Sequence, residues 1–275
     1  MDAHAYARTT LAELRDQRRK QTADLAGPIF DPLEERIELD GATCLSIRGN
    51  GDEIGYAIVD ERDPAAATLL EFYVDPLLRK DAGRILDTTL AEFRCARWLV
   101  NSQDSFALPL FLERGFPYEV EAYLFSAATE SREPPLRDGM AVVGATPADL
   151  ERTYALIMQD GFYTGDGRVG LAARIGNGEI FLLRDRSELR GVGFVCPLER
   201  TPRYADIAMI IDGAHRGQGL AHRLVTRLVR ISRDRGLLPT ALTSKENLAS
   251  RRTLEKCGFY LDGCVLRATT RAAPR

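Results

Sequence analysis

The sequence has few of the residues that build metal and redox centres. Its 275 residues include only three histidines. The cysteines are also few, are scattered and form no CxxC pair: Cys44, Cys95, Cys196, Cys257 and Cys264. Zinc sites use clustered Cys and His ligands, and disulfide-rich secreted domains use paired cysteines. We therefore expect reduced thiols, a cytoplasmic protein and no bound metal.

The chain also lacks an excess of charge of either sign and any long apolar segment. It has 37 Lys and Arg against 40 Asp and Glu, a formal net charge of −3. No apolar run approaches the roughly 18 residues that a membrane span needs. The first 20 residues are polar and charged, unlike a secretory leader. We expect neither a nucleic-acid nor a membrane partner, so any anionic ligand needs a local binding device.

The composition itself is that of an ordinary globular protein, with 45% hydrophobic and 28% charged residues. At roughly 150 residues per domain, this length predicts two modest domains. Residues 127–139 hold Pro134, Pro135 and several charges without apolar periodicity, which is typical of a linker. We place one domain at 1–128, a linker at 129–139 and a second domain at 140–275.

The two halves repeat one order of elements. Each is predicted to run helix, strand hairpin, long strand, helix, short strand, helix and strand. The endings FLERGFPYEVEAYLF and TLEKCGFYLDGCVL match most closely. A repeat of this length predicts two copies of one domain, each a mixed α/β sheet covered by helices. Only nine residues precede the first helix, so we expect the first copy to lack its first strand.

A glycine-containing loop follows the long strand of the second half. The strand ends near Ile211, the loop contains Arg216, Gly217 and Gly219, and a long helix begins at Leu220. Glycines let backbone N–H groups turn toward one point, while the helix N-terminus and Arg216 add positive charge. The pattern predicts a cradle for a pyrophosphate. A Walker loop needs GK[ST], which is absent, and a Rossmann fingerprint comes early in its domain rather than late.

This loop and two later segments together resemble the GNAT family of acetyl-CoA-dependent N-acetyltransferases. The strand, R-x-x-G-x-A loop and helix start lie between Met209 and Ala221. An asparagine follows the next strand at Asn247, and the E-K-x-G-F ending runs from Glu255 to Phe259. The resemblance covers most of residues 140–268. It implies two GNAT-like domains in tandem, each with a mixed sheet that opens between its fourth and fifth strands around the cofactor.

The resemblance also implies roles for residues of the second copy. Met209 and Ile211, with Ile210 between them, would offer backbone groups to the pantetheine arm of acetyl-CoA. Asn247 would contact the pantetheine or the far end of the cofactor. A backbone N–H of the fourth strand would polarise the thioester carbonyl. The pyrophosphate would be bound through the loop and the helix start: Arg216, Gly217, Gln218, Gly219, Leu220 and Ala221.

The implied chemistry is direct attack of a neutral amine on the thioester. An amine with a pKa near 10 is mostly protonated at neutral pH, so a base must take a proton. Asp206 stands on the fourth strand where many GNAT members carry an acid; Glu199 is a weaker candidate, and Asp206 could simply face solvent or pair with an arginine. Many members have a tyrosine acid where this chain has Leu254, so Ser250 or Tyr260 could protonate the leaving thiolate, or the thiolate could leave unaided.

The remaining candidates lie beside the acceptor site and in the first copy. Phe162 and Tyr163 occupy a loop that often lines the acceptor site in GNAT enzymes, or else they pack in the core. His215, beside Arg216, could touch a phosphate or be an exposed residue without a role, and His222 is interpreted as a surface residue. In the first copy the R-x-x-G-x-A spacing is lost, and Asp81 puts negative charge where a pyrophosphate needs donors. We expect an eroded cofactor site there and a structural role.

The sequence therefore predicts an N-acetyltransferase that moves the acetyl group of acetyl-CoA to a primary amine of a small molecule or peptide. Two alternatives stay open. One is a transferase of another acyl group or of a thiol-pathway amine, as in mycothiol synthase, which also has tandem GNAT halves. The other is a protein that binds acyl-CoA without turnover.

Overall fold

The computed structural model describes residues 4–23, 25–28, 37, 42–63, 66–127, 139–159 and 167–270. Its contacts divide the chain into two units, Met1–Tyr123 with Gly263–Arg275, and Leu124–Asp262. The predicted linker falls on 129–139, of which only residue 139 is described. The proposed domain boundaries therefore stay a prediction.

The first unit is a mixed sheet with helices. Its strands stand in the order β1, β2, β3, β4, β5, β12 and β6, with β4 parallel to β5 and the end of β12 antiparallel to β5. The elements are β1 Ala5–Thr9, α1 Arg15–Ala23, β2 Ala42–Gly49, β3 Asp52–Asp60, β4 Ala67–Val74, α2 Ala82–Glu92, β5 Cys95–Asn101, α3 Ala107–Glu113 and β6 Tyr118–Ala127, of which β6 passes into the second unit at Leu124.

The second unit repeats this plan. Its strands stand in the order β7, β8, β9, β10, β11 and β6, with β10 parallel to β11 and β7 to β10 antiparallel. The elements are β7 Met140–Gly144, α4 Leu150–Gln159, α5 Gly167–Gly176, β8 Ile180–Asp185, β9 Glu188–Pro197, β10 Tyr204–Ile211, α6 Leu220–Asp234, β11 Leu238–Ser244, α7 Leu248–Lys256 and β12 Phe259–Thr269, of which β12 passes into the first unit at Gly263. The predicted mixed α/β class is confirmed.

Helices cover both faces of the second sheet. Buried side chains of α4 and α5, such as Ile157 and Leu171, pack with Ile210 and neighbouring strand residues on one face. On the other face α6 approaches β9 at Gly193, where a Cβ atom would lie 2.7 Å from Cδ1 of Leu228. A Cβ atom there would have to displace the end of the Leu228 side chain, so the glycine lets α6 pack closely against β9.

A second close approach occurs at the same place in both units. Gly55 and Gly191 each lie on the third strand, opposite the end of the fourth. A Cβ atom at Gly55 would lie 2.2 Å from the carbonyl oxygen of Tyr73, and one at Gly191 would lie 2.7 Å from that of Ile210. The two copies therefore share a backbone contact that tolerates only glycine.

The turn after the fourth strand is also built alike in the two units. Asp75 accepts a hydrogen bond from the N–H of Leu77 at 3.2 Å, and Asp212 accepts one from the N–H of Ala214 at 3.0 Å. Each aspartate opens a short 3-10 turn that leads toward the next helix. An Asx turn at this point ends the strand and starts the loop.

The expectation that the first copy lacks its first strand is wrong. Strand β1 pairs antiparallel with β2 over five residues. Its one large anchor is Tyr6, whose hydroxyl lies 2.8 Å from Oγ1 of Thr89 and whose ring packs edge-on against Phe93. The segment AYART is short and contains a single bulky apolar side chain, so it carries little periodicity to read.

Asp149 joins the start of the α4 segment to the sheet. Its buried carboxylate accepts hydrogen bonds from the N–H of Thr146 at 2.9 Å and from Arg184 of β8 at 2.6 Å, and it also pairs with Arg152. Burial by itself raises the pKa of Asp149. The hydrogen bonds from Arg152 and Thr146 and the charge of Arg184 outweigh burial and lower this pKa to about 2.

Replacing Asp149 with Asn is expected to lower the free energy of unfolding at neutral pH by about 1–3 kcal/mol, because charge-assisted hydrogen bonds are lost. Because the pKa of Asp149 is lower in the folded state than in the unfolded state, its ionised carboxylate stabilises the fold at pH values above about 4. This contribution to the free energy of unfolding is lost as the pH falls toward 2. Urea unfolding at pH 7, 4 and 3 measures both effects. The control is Asp16→Asn, at an exposed ion pair. Equal losses in the two variants, or an unchanged acid dependence for Asp149→Asn, would contradict the assignment.

Candidate functional site

The sheet of the second unit opens between β10 and β11. Their parallel ladder covers three residue pairs, from Tyr204 with Leu238 to Asp206 with Thr240. Strand β10 then continues for five residues and β11 for four. Past the third pair, the two strands part and leave a gap at the carboxyl end of the sheet.

The backbone of β10 presents alternate groups to this gap. Asp212 donates its N–H to the carbonyl of Arg190 on β9 at 3.0 Å. In an antiparallel ladder the bonding alternates, so Ile210 also bonds toward β9. Met209 and Ile211 therefore direct their N–H and C=O groups away from β9, into the gap. The carbonyl oxygen of Ile211 accepts a hydrogen bond from Arg216, so the groups that an extended chain of amides can pair with are the N–H and C=O of Met209 and the N–H of Ile211.

The loop after β10 has an open, left-handed backbone. Gly217 and Gly219 both have φ of +75°, and a Cβ atom at either would meet no other atom within 4 Å. The glycines are therefore required by backbone conformation and not by crowding. Arg216 donates from Nε to the carbonyl oxygen of Ile211 at 3.2 Å, which ties its side chain to the strand end. Helix α6 starts directly afterwards, and its first N–H groups lack partners within the helix.

A cleft of about 510 Å³ lies along the strand end, the loop and α7. Among the described residues that line it there is no Asp or Glu, while Arg216, Lys256 and two histidines contribute groups that carry or can accept positive charge. The lining residues are Met209, Ile210, Ile211, His215, Arg216, Gly217, Gly219, Leu220, Ala221, His222, Asn247, Ala249, Ser250, Thr253 and Lys256. Loop N–H groups, the α6 dipole and these side chains together suit an anionic ligand.

The cleft brings together most of the residues singled out from the sequence. Of the candidate cofactor residues, only Gln218 is not in the lining. The candidate acid Ser250 is in it. His215, for which a phosphate contact was one of two interpretations, lines it too, as does His222, which was interpreted as a surface residue. Lys256 also lines the cleft but was not among the candidates; the E-K-x-G-F ending, which contains it, was the feature of the sequence that could have indicated it. Phe162 and Tyr163 lie outside the described residues.

Asp206 does not line this cleft. It stands on the last pair of the ladder between β10 and β11, opposite Cys196 of β9. By strand alternation its side chain shares a sheet face with Ala208 and Ile210, which pack against the cluster formed with α4 and α5. Asp206 is half-buried there. It therefore faces the side of the sheet opposite α6.

Asn247 begins α7 at the edge of the cleft. Its side-chain oxygen accepts the N–H of Ser250 at 3.0 Å, an N-cap bond. That bond uses the amide oxygen and leaves the amide NH₂ group available to a ligand. Tyr260, the other candidate for the thiolate acid, is exposed and does not line the cleft, and Leu254, at the position of the family's tyrosine, is buried and apolar.

The matching helix start in the first unit is built differently. Its N-cap residue is Asp81, with a right-handed backbone at φ −99°, where the second unit has Gly219. The guanidinium of Arg114 lies against the first turn of α2, because a Cβ atom on Gly83 would be 2.4 Å from its Nη2. Asp87 holds Arg114 with two hydrogen bonds of 2.8 and 3.2 Å. The start of α2 therefore carries the carboxylate of Asp81 and is covered by the side chain of Arg114.

Two further findings concern metals and membranes. Among the residues that the structure describes, no three His, Cys, Asp or Glu side chains come together in a way that could hold a metal ion. Within the same ranges, no helix is long and apolar enough to cross a membrane.

Comparison with known sequences gives one family. The profile of the Acetyltransferase (GNAT) family matches residues 150–259, the stretch from the start of α4 to the start of β12. Among curated proteins, none matches this chain.

Comparison with solved structures gives the same fold over the whole chain. An acetyltransferase of the GNAT family from Colwellia psychrerythraea is 17% identical, with a TM-score of 0.85, and the match covers 97% of this chain and 100% of that one. A tandem GNAT protein from the clavulanic acid biosynthesis pathway is 14% identical, with a TM-score of 0.69 and coverage of 99% and 100%. A GCN5-related N-acetyltransferase from Sphaerobacter thermophilus is 16% identical, with a TM-score of 0.66 and coverage of 100% and 98%.

The family and the fold support acyltransferase activity in general, with an acyl-CoA and an acceptor as substrates. The chain has the fold of a tandem GNAT protein along its length, and its residues 150–259 match the Acetyltransferase (GNAT) family.

Proposed function

We propose that the second unit is an N-acetyltransferase that moves the acetyl group of acetyl-CoA to a primary amine of a small molecule or peptide. One observation carries the proposal. The parting of β10 and β11 lies beside a left-handed glycine loop and a helix N-terminus, in one cleft that has no carboxylate among the part of its lining that the structure describes. The cleft thus combines strand amides that can pair with the pantetheine arm of acetyl-CoA and a cradle that can hold its pyrophosphate.

Each part of acetyl-CoA has a counterpart among these groups. The pantetheine arm is an extended chain with two amides, which can pair with the backbone groups of Met209 and Ile211 in the gap. The pyrophosphate is a compact anion, which the N–H groups from Gly217 to Ala221 and the charge of Arg216 can hold. The amide NH₂ of Asn247 adds a donor from the α7 side.

The transfer is written as direct attack. The amine nitrogen forms a bond to the thioester carbon, the C–S bond breaks, and the thiolate of CoA leaves. One proton passes from the amine nitrogen to a base, and the thiolate takes up a proton to become the thiol. A backbone N–H of β10 that points into the gap can stabilise the negative oxygen of the tetrahedral intermediate.

Asp206 is the proposed base. It stands where the ladder between β10 and β11 ends, so an amine entering from the α4 and α5 face would meet its carboxylate near the gap. For the leaving group, a thiol with a pKa near that of cysteine, about 8.5, needs little assistance. Ser250, which lines the cleft, is the side chain that can supply a proton where Leu254 cannot.

The first unit is proposed to be an eroded copy with a structural role. Asp81 at the helix cap repels an anion, and Arg114 already covers the first helical turn. The alternatives to acetyl transfer are another acyl group, a thiol-pathway amine, and acyl-CoA binding without turnover. Release of free CoA thiol from a panel of acyl-CoAs and amines separates them, since a protein that only binds would release none.

Gly219→Glu is expected to abolish acetyl-CoA binding, because a carboxylate enters the cradle. A ligand at 100 times its Kd adds about 2.7 kcal/mol to stability, so wild type should gain roughly 5–10 °C in Tm. Gly236→Glu is the matched control: it has the same φ of +75°, nothing within 4 Å of its Cβ position, and lies outside the cleft. Thermal unfolding with and without acetyl-CoA measures the shift. If both variants lose the increase in Tm on adding acetyl-CoA, or if neither does, the assigned cradle is wrong.

Asn247 should separate helix capping from ligand binding. Asn247→Ala loses the cap and about 1 kcal/mol of stability. Asn247→Asp keeps an oxygen for the N–H of Ser250, so its stability should stay within about 0.5 kcal/mol of wild type. Both variants lose the NH₂ donor, and we expect the Kd for acetyl-CoA to rise on the order of tenfold. Calorimetric titration gives the Kd. Wild-type affinity in Asn247→Asp would remove the residue from the ligand site.

Asp206→Asn is expected to lower kcat on the order of 10²- to 10⁴-fold, the usual contribution of a general base. The Kd for acetyl-CoA should not change, because Asp206 is outside the cleft lining. Thiol release with an amine that wild type accepts gives kcat, and Glu199→Gln is the control. If kcat changes less than threefold in Asp206→Asn, or falls equally in both variants, another group is the base.

A further inference from the structure

Helix α1 packs on the sheet of the first unit through polar side chains. Of its nine residues, Arg15–Ala23, the two that are buried are Gln17 and Gln21. The side chain of Arg18 lies on the same helix face and is only 11% exposed. Leu14 is buried and apolar, but it precedes the helix. A surface helix normally docks through an apolar stripe, and none of the nine described residues of α1 supplies a buried apolar side chain.

Glu71 of β4 is the centre of the contacts that hold α1. Its carboxylate accepts hydrogen bonds from Nη2 and Nε of Arg18 at 2.9 and 3.0 Å, a bidentate pair, and the Glu71 side chain is 10% exposed. The hydroxyl of Tyr56 lies 2.9 Å from the same carboxylate and 2.6 Å from Oε1 of Gln21. Nε2 of Gln21 donates to Asp104 at 3.4 Å. The helix is therefore docked by a network in which one carboxylate balances the charge of the arginine.

The second unit has an apolar layer at the same place in the fold. Helix α4 follows β7 as α1 follows β1, and it buries Ile157 with Val192 and neighbouring strand residues. Counted from the glycine that both third strands share, Tyr56 stands where the second unit has Val192. Counted from the aspartate that follows both fourth strands, Glu71 stands where it has Ala208. The fold therefore does not require polar groups in this layer, and they are a property of the first unit.

The docked position of α1 leaves two buried polar atoms without a hydrogen bond in the structure as described. They are Oε1 of Gln17, at 8% exposure, and Oγ of Ser46, at 4%, which stands opposite Tyr56 in the ladder of β2 and β3. Such atoms regain hydrogen bonds to water when the helix leaves the sheet, which favours the open state. A nine-residue helix is shorter than the roughly 12–15 residues that make a helix marginally stable alone in water, so α1 unfolds when it leaves.

We infer that α1 is a lid on the first unit, closed by the pair of Arg18 and Glu71, and that it opens by local unfolding while the sheet stays folded. Segments with few buried apolar contacts are those that open at low free energy. Opening uncovers the polar face of β3 and β4 that carries Tyr56 and Glu71. The inference is independent of the proposed acyl transfer, which is assigned to the second unit.

Amide hydrogen exchange of the full chain at neutral pH, read by mass spectrometry, tests the lid. In wild type the N–H groups of α1 should exchange on the order of tenfold or more faster than those of α4, while β3 and β4 stay protected. Glu71→Gln leaves the guanidinium of Arg18 without its counter-charge and should speed exchange in α1 on the order of tenfold further, with β3 and β4 unchanged. Glu53→Gln, at an exposed carboxylate of β3, is the matched control and should leave α1 as in wild type.

A double variant, Arg18→Leu with Glu71→Leu, separates the lid from a general loss of stability. Replacing both partners of a buried ion pair with apolar side chains is often neutral or stabilising, whereas removing one partner is not. The double variant should therefore exchange in α1 no faster than wild type.

Four outcomes would overturn the inference. Two concern wild type: α1 exchanges no faster than α4, or it exchanges only together with β3 and β4. The others concern the variants: Glu71→Gln speeds exchange equally in α1, β3 and β4, or the double variant exchanges in α1 as fast as Glu71→Gln does.

Discussion

The site depends on the early end of one hydrogen-bonded ladder: β10 and β11 separate after three residue pairs. A parallel ladder that continued to Ile211 would have consumed the N–H and C=O groups of Met209 and Ile211. Because β10 stays paired with β9 as far as Ile211, the strand stays extended while the N–H and C=O of Met209 and the N–H of Ile211 face the gap. The glycine loop and the start of α6 then follow directly from the end of that strand.

The two copies show which features belong to the fold and which to the ligand. Both keep the glycine opposite the end of the fourth strand, at Gly55 and Gly191, because backbone crowding there admits no side chain. Both also part their fourth and fifth strands after a short ladder. The copies differ at the helix cap, where Asp81 replaces Gly219. That difference leaves the order of the strands unchanged and puts a negative side chain where an anion would approach.

The sequence predicted the mixed sheet, the repeat and the position of the anion cradle, because hydrophobic periodicity and a glycine loop are local signals. It failed for β1, whose pairing is set by β2 and whose only large anchor is Tyr6. It also left Lys256 and His222 out of the site. Their entry into the cleft depends on how α6 and α7 meet in space, which spacing along the chain does not encode. The face occupied by Asp206 likewise follows from register, a tertiary property.

The path of the last strand has a consequence for the order in which the protein is made. Residues 265–269 of β12 are the neighbours of β5, so the first unit takes a central strand of its sheet from the end of the chain. During synthesis that strand leaves the ribosome only after the whole second unit. The first unit therefore cannot complete its sheet before the second unit has been synthesised, and until then the edge of β5 is open to pairing with other strands.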